Sequence, residues 1–448
     1  MMQNLIKKYN VPGPRYTSYP TVPFWDESTY NTKSWIQSLQ KENSSREISL
    51  YIHLPFCESL CTFCACNKRI TKRHEVEIPY IEALLKEWNM YLDILQDKPI
   101  LKEIHLGGGT PTFFDPKHLK YLLDTIKKTC EIPEDVSYSF EGHPNNTTTD
   151  HLQTLRQLGF DRVSYGIQDY SPKVQIAIHR FQSFETVKRI TEKSRLLGYT
   201  SVSHDLIYGL PLQTLQDVIS TIEKTIEIMP DRIAFYSYAH VPWTKGNGQR
   251  GYDEKDLPSP DLKRQQYEMG KKMLEEKGYI EIGMDHFALS EDGLTKAFQN
   301  QNLHRNFMGY TTTKTEKMIG LGVSAISDSW FGFSQNHKNL KDYYTSLSKN
   351  ELPVSRGHIL NKTDLIIRRK ILNLMCHFVS DLDGLDISDQ LEIKSDLAEF
   401  KTDDLINIED DMIQVKTTGK AFIRNICMAF DLRLKAKQTE SQLFSMTI

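Results

Sequence analysis

Six short apolar segments, each followed by an amphipathic helical stretch, constrain this chain more than any other feature. Candidate strands lie at 48–53, 103–106, 137–141, 162–167, 201–207 and 232–238. Between the first two, Ile81, Leu84, Leu85, Trp88, Leu92 and Leu95 recur at helical period and form one apolar stripe. Leu152, Leu155 and Leu158 form another. Gly159, Gly198 and Gly278 each follow such a stretch and precede an aromatic residue, which predicts left-handed helix C-termini leading into strands. Successive βα units imply parallel strands with right-handed crossovers, so the fold class is α/β. Periodicity alone permits a barrel or an open doubly wound sheet. The 448 residues accommodate a large catalytic domain and a smaller one.

Polar residues at the strand ends favour the barrel. The first strand ends at His53 and the second in Gly107-Gly108-Gly109-Thr110-Pro111. The third ends at Glu141, the fourth at Gln168-Asp169. The fifth carries Asp205 and the sixth ends at Ala239-His240. Polar residues appear wherever strands exit to water, so one of them means little. Six in succession suit a barrel with one site at its carboxyl end, where such folds place their chemistry.

A cysteine run follows the first strand, spaced Cys57-x3-Cys61-x2-Cys64, with a fourth at Cys66. A structural zinc would need two more ligands beside Cys61 and Cys64, and no second such pair exists; His53 is close enough for a mixed site. A redox dithiol would open a helix without Cys57 and Cys66 beside it. Four cysteines within ten residues are hard to explain as packing, whereas Cys130, Cys376 and Cys427 read as core residues. Iron–sulfur clusters are usually held by four cysteines, so three thiolates suggest an iron left open for a small molecule. The glycine run lacks both dinucleotide and P-loop patterns. Glu141 suits a ribose hydroxyl, the lesser alternative being a salt bridge.

The cysteine loop resembles that of the radical S-adenosylmethionine enzymes. The wider run Tyr51-Ile52-His53-Leu54-Pro55-Phe56-Cys57, continuing through Cys61, Phe63, Cys64 and Cys66, resembles the oxygen-independent coproporphyrinogen III oxidases. So do Gly13-Pro14-Arg15-Tyr16-Thr17-Ser18-Tyr19-Pro20, Gln168-Asp169, Asp205-Leu206-Ile207-Tyr208-Gly209, Gly283-Met284-Asp285-His286, His304-Arg305-Asn306-Phe307 and Ile423-Arg424-Asn425. These motifs span nearly the whole chain. The resemblance implies a partial (β/α)6 radical SAM barrel over 46–360, preceded by an N-terminal extension (1–45) and followed by a mainly helical C-terminal domain (361–448). It implies that Cys57, Cys61 and Cys64 hold a 4Fe–4S cluster, and that Cys66 acts in turnover without being a ligand. Tyr51, Gly108, Glu141 and Ile326 would contact S-adenosylmethionine on the cluster. The family is described with a second S-adenosylmethionine, so Phe63, Gly109, Thr110, Gln168, Arg180, Asp205 and Ala239 would touch one or other molecule. The implied reaction turns two propionates of coproporphyrinogen III into vinyl groups through a 5′-deoxyadenosyl radical, giving protoporphyrinogen IX in haem biosynthesis.

One departure concerns the residues after Glu141. The family carries Asp-Pro-Arg there, and this chain has His143-Pro144-Asn145. Cations for a tetracarboxylate substrate are sought at Arg15, Arg305 and the run Lys68, Arg69, Lys72, Arg73, although that run equally suits a solvated loop. The rival readings are a haem chaperone of the same superfamily and a haem-degrading radical methyltransferase. Neither usually carries the Arg15-Tyr16-Thr17-Ser18-Tyr19-Pro20 run.

A net charge of −3 gives no reason to expect nucleic acid, and the C-terminal helix-plus-hairpin pattern is acidic. No run reaches membrane-span length, and no signal peptide is evident. Seven mostly clustered cysteines suit a reducing cytoplasm. The expected partners are coproporphyrinogen III and an electron donor such as flavodoxin or ferredoxin, with the chain a monomer.

Overall fold

The six expected strands are all present. They form at β1 (Glu47–Leu54), β2 (Ile100–Gly108), β3 (Ser137–Gly142), β4 (Arg162–Gln168), β5 (Ser201–Tyr208) and β6 (Arg232–Ser237). The computed structural model describes residues 2–41, 45–243, 248–436 and 443–447. Ile48, Leu50, Ile52, Ile104, Leu106, Phe140, Val163, Val202, Leu206 and Ile233 join one buried core. Successive strand residues point to opposite faces. Ser49, Tyr51, Glu103, His105, Ser139, Glu141, Ser164 and Asp205, at the intervening positions, therefore share the other face. Parallel strands covered on both faces are usually apolar throughout. The polar face here lines a concave interior.

The apolar face is covered by α1 (Glu77–Leu95), α2 (Pro116–Lys128), α3 (Thr149–Gln157), α4 (Phe184–Leu196) and α5 (Leu215–Ile228), one between each pair of strands. A further helix, α6 (Pro260–Glu275), follows β6. Helices α3, α4 and α6 end at Gly159, Gly198 and Gly278, whose φ values of 97°, 88° and 88° are those the sequence predicts.

Strands β1 to β6 pair in chain order, all parallel. Beyond β1 the sheet continues with Lys317–Leu321, parallel to it, and then Ile326–Asp328, Gly332–Asn336 and Val354–Ile359, antiparallel. Beyond β6 it continues with His286–Ala288 and Ile280–Ile282. The twelve strands form one open sheet among the described residues, a partial barrel extended at both edges. The hairpin His304–Asn306/Gly309–Thr311 reaches across the concave side. There Thr311 Oγ1 donates to Glu103 Oε1 on β2 (2.8 Å), and the Tyr310 ring meets His286 edge-on.

Residues near the N-terminus pack with residues near the C-terminus. Ile6, Tyr9, Tyr16 and Tyr19 share a second core with Ile367, Leu374, Leu397, Phe400, Ile426 and Phe430. The C-terminal region contributes the helices Lys362–His377, Ile387–Thr402 and Ile423–Phe430 and the hairpin Ile406–Glu409/Met412–Val415. Arg424 ties the two ends together by donating to the carbonyls of Gly13, Pro14 (2.9 Å) and Met446 (3.0 Å). Among the described residues no helix is long and apolar enough to cross a membrane.

Glu87 of α1 braces the turn between Lys317–Leu321 and Ile326–Asp328. Fully buried, it accepts from Gly322 N (2.8 Å), Tyr343 Oη (2.6 Å) and Asn336 Nδ2 (2.6 Å). Glu87→Ala leaves three buried donors unpaired, at about 1–3 kcal/mol each. A loss of about 3 kcal/mol or more is expected in urea unfolding at pH 5. Burial lifts the Glu87 carboxyl to about 7 against its hydrogen bonds. A raised folded-state value means that its stabilisation is full below the ordinary 4.5 and declines as pH rises through about 7. The wild-type advantage over Glu87→Ala should narrow over that window.

Candidate active site

The cysteine loop leaves β1 at Leu54 and is pinned at its neck. Phe56–Cys57 pairs in parallel with Arg69–Ile70, with Arg69 N donating to Pro55 O (2.7 Å) and Thr71 N to Cys57 O (2.9 Å). Outside contacts set its shape. Thr62 N donates to Ile178 O (2.9 Å), Tyr252 Oη to Thr62 O (2.9 Å) and Gly248 N to Cys64 O (2.9 Å). Lys68 Nζ reaches back to Cys64 O (3.1 Å).

Cys57, Cys61 and Cys64 line one cavity of about 490 Å³, together with Phe63, Gly109, Thr110, His143, Asn145 and Arg180. Cys66 does not line it and is exposed. Two of the sulfurs accept hydrogen bonds, from Thr110 Oγ1 to Cys57 Sγ (3.4 Å) and from Arg180 Nη1 to Cys61 Sγ (3.8 Å). Burial pushes the Cys57 thiol up to about 11. A hydrogen bond from Cys66 holds Cys64 down to about 6, with Lys68 and Arg180 adding to it against burial.

Among the described residues no three His, Cys, Asp or Glu side chains converge tightly enough to hold a single metal ion. Ligands on three corners of a cubane stand farther apart than ligands on one ion. Three thiols around one roomy cavity, with Lys68, Lys72 and Arg180 at its wall to offset thiolate charge, fit such a cluster.

The glycine run forms the neighbouring wall. Gly109 N donates to Leu54 O (2.9 Å) and Thr110 N to Phe56 O (3.0 Å), which lays the run along the base of the cysteine loop. Gly108 N donates to Glu141 Oε2 (3.2 Å), and His105 Nε2 stands 3.5 Å from Glu141 Oε1. Partial burial would raise the Glu141 carboxyl, but His105, the Gly108 N–H and His53 hold it below the ordinary carboxylate value. On β1, Tyr51 Oη and His53 Nδ1 share a hydrogen bond (2.9 Å), and His53 Nε2 bonds to Asn67 O (2.9 Å). Deeper in the barrel, Ser164 Oγ donates to Asp205 Oδ1 (2.7 Å), while burial lifts the Asp205 carboxyl to about 6.

Residues 51–225 match the Radical SAM superfamily. An oxygen-independent coproporphyrinogen III oxidase of Pseudomonas aeruginosa is 37% identical over 437 residues, which covers 96% of this chain and 95% of the relative. Its counterpart from Escherichia coli K12 is 37% identical, with 99% of this chain and 98% of the relative covered. The chain belongs to the oxygen-independent coproporphyrinogen III oxidase family. The solved structure of coproporphyrinogen III oxidase from Escherichia coli, described as a radical SAM enzyme, matches with a TM-score of 0.90 at 36% identity. That match covers 96% of this chain and 99% of the other.

Within this family member, the expected residues fall into three groups. Cys57, Cys61, Cys64, Phe63, Gly109, Thr110 and Arg180 meet at one cavity. Tyr51, Gly108 and Glu141 sit beside it on β1 to β3, and Asp205 lies deeper. Gln168, Ala239 and Ile326 do not line that cavity. Gln168 ends β4 with φ 68°, Ala239 O accepts from Gln249 Nε2 (2.8 Å), and Ile326 begins the strand beyond Gly322.

Sequence reading passed over His105, although the inward spacing of Glu103, His105 and Gly107 on one strand marks it. It also treated His143 and Asn145 only as a departure. Both line the cavity, Asn145 Nδ2 donates to Phe181 O (2.7 Å), and burial with Arg180 nearby pushes the His143 imidazole down to about 3, so it is neutral.

Proposed function

We propose that this chain carries out the oxygen-independent conversion of coproporphyrinogen III to protoporphyrinogen IX, with a 4Fe–4S cluster and S-adenosylmethionine as its cofactors. The placement of three thiols on one cavity beside the glycine run supports the reading, alongside near full-length identity to named oxidases. Cys57, Cys61 and Cys64 would hold the cluster, leaving one corner for S-adenosylmethionine. When bound, the pair would supply one-electron cleavage of a sulfonium and hydrogen abstraction from a propionate β-carbon.

The chain's own groups have separate tasks. Thr110 and Arg180 donate to thiolate sulfur, which tunes its charge. Glu141, oriented by His105 and Gly108 N, would accept from a ribose, with Tyr51, Gly108 and Ile326 around the same molecule. Phe63, Gly109, Thr110, Gln168, Arg180, Asp205 and Ala239 would surround one or other S-adenosylmethionine. Cys66, off the cavity but hydrogen-bonded to Cys64, would act in turnover rather than in cluster binding. A small donor such as flavodoxin or ferredoxin would supply the electron, in the cytoplasm, to a monomer.

The test is anaerobic reconstitution with iron and sulfide, followed by assay with coproporphyrinogen III. A divinyl porphyrinogen is the expected product. Haem binding without product, or an opened methylated ring, would replace this reading.

A further inference from the structure

A second cavity, of about 240 Å³, lies where three parts of the chain meet. Tyr208 and Ser237, at the carboxyl ends of β5 and β6, form one wall. Arg15 comes from the N-terminal segment, Arg264 and Lys271 from α6, and Lys420 and Arg424 from the C-terminal region. Its Tyr208–Ser237 wall and the cysteine loop both lie at the carboxyl ends of barrel strands. Gln249 Nε2 donates both to Ala239 O (2.8 Å), two residues beyond Ser237, and to Phe63 O (3.2 Å) in that loop.

Charge pairing leaves a surplus of cations here. Glu281 is taken by Lys271 (2.6 Å) and Tyr267 Oη (2.5 Å). Glu268 is taken by Arg264, and Asp285 by His286 (2.7 Å). Arg15 stands 3.6 Å from Asp285 and donates to Ser237 O (2.7 Å). Among the described residues Lys420 pairs with no carboxylate and instead lies over the Phe378 ring. Among the described residues Arg424 meets only backbone carbonyls, and Arg264 Nε is buried with no hydrogen-bond partner.

Behind the wall, the buried Lys263 ammonium donates to Tyr238 O (3.0 Å) and, among the described residues, has no carboxylate partner. Burial, with Arg15 and Arg424 adding to it, holds Lys263 down to about 7, and burial with Arg15 beside it holds Arg424 down to about 9. Unpaired buried cations are costly. An anion in the cavity would offset the charge of Arg15, Arg264, Lys420 and Arg424, which line it.

We propose that this cavity is a carboxylate subsite that takes one propionate arm of the porphyrinogen. The proposal rests on the substrate reading above and adds where a non-reacting carboxylate is held. The volume is below the ~300–1,000 Å³ that drug-sized ligands occupy, so an arm fits rather than a macrocycle. Guanidinium groups match carboxylates in two-point geometry, and Lys420 adds a further positive charge. The N-terminal and C-terminal segments thereby acquire a substrate-positioning role on the barrel.

The test uses the full-length chain without its cluster, titrated with coproporphyrin III and with its tetramethyl ester by fluorescence. The acid is expected to bind at least about tenfold more tightly than the ester. Lys420→Gln and Arg264→Gln should each weaken acid binding by about fivefold to tenfold, and Lys420→Arg should restore it. In the reconstituted protein the same variants should raise KM for coproporphyrinogen III with kcat and S-adenosylmethionine binding unchanged. Wild-type turnover together with unchanged Kd and KM in both Gln variants would overturn the subsite alone. Absence of divinyl product from the wild type would overturn the substrate reading beneath it as well.

Discussion

Cys57→Ala protein, reconstituted anaerobically with iron and sulfide, should lack the iron-derived visible absorbance and the dithionite-dependent paramagnetic signal of the wild type. Turnover should fall below about 10⁻³ of normal, because a metal site that loses a ligand loses the affinity which assembles it. The geometry leaves no substitute. Cys57, Cys61 and Cys64 line one cavity, whereas Cys66 lies outside it. The Phe56–Cys57 segment is fixed by its pairing with Arg69–Ile70, which holds position 57 itself in place. Cys66→Ser should therefore retain wild-type iron and sulfide while losing turnover. Full iron in Cys57→Ala with loss of iron in Cys66→Ser would show that the ligand set is assigned wrongly.

Much of this was legible in the sequence because the decisive signals are local. Strand and helix periods, the glycines at 159, 198 and 278 and the spacing of Cys57, Cys61 and Cys64 each act within a few residues. Boundaries moved only slightly, as where β2 begins at Ile100 rather than 103 and β6 ends at Ser237 rather than 238. Long-range packing was not legible. Nothing near Tyr9 announces that its ring stacks on Phe400 at 4.9 Å, or near Thr311 that it caps Glu103. The choice between an open sheet and a partial barrel depends on curvature, which a period-two pattern does not encode. Arg305, sought as a cation for the substrate, lies buried with its guanidinium 4.4 Å from the Tyr310 ring centroid. An arginine reads the same in sequence whether it faces a ligand or an aromatic ring.

Gly109→Ala is the other change expected to be severe, and its cause is backbone geometry rather than chemistry. A Cβ at Gly109 would lie 2.6 Å from Pro55 C and O and 2.9 Å from Phe56 O. All three are main-chain atoms of the segment that delivers Cys57, so no side chain can swing aside. The same contact is held by Gly109 N to Leu54 O and Thr110 N to Phe56 O, and the methyl group must stretch both bonds. Overpacking of this kind costs about 1–3 kcal/mol. The larger effect should fall on activity, since Thr110 and Cys57 move apart and a displacement of ~1 Å at reacting groups costs about a hundredfold in rate. Gly293→Ala, whose added Cβ meets nothing closer than 3.8 Å, should melt and turn over as wild type does. Gly107→Ala should fall between them, because its neighbours at 3.0 and 3.1 Å belong to the side chains of Glu141 and Tyr51. Equal activity in the Gly109 and Gly293 variants, measured at matched iron content, would mean that the glycine run does not set the position of the cysteine loop.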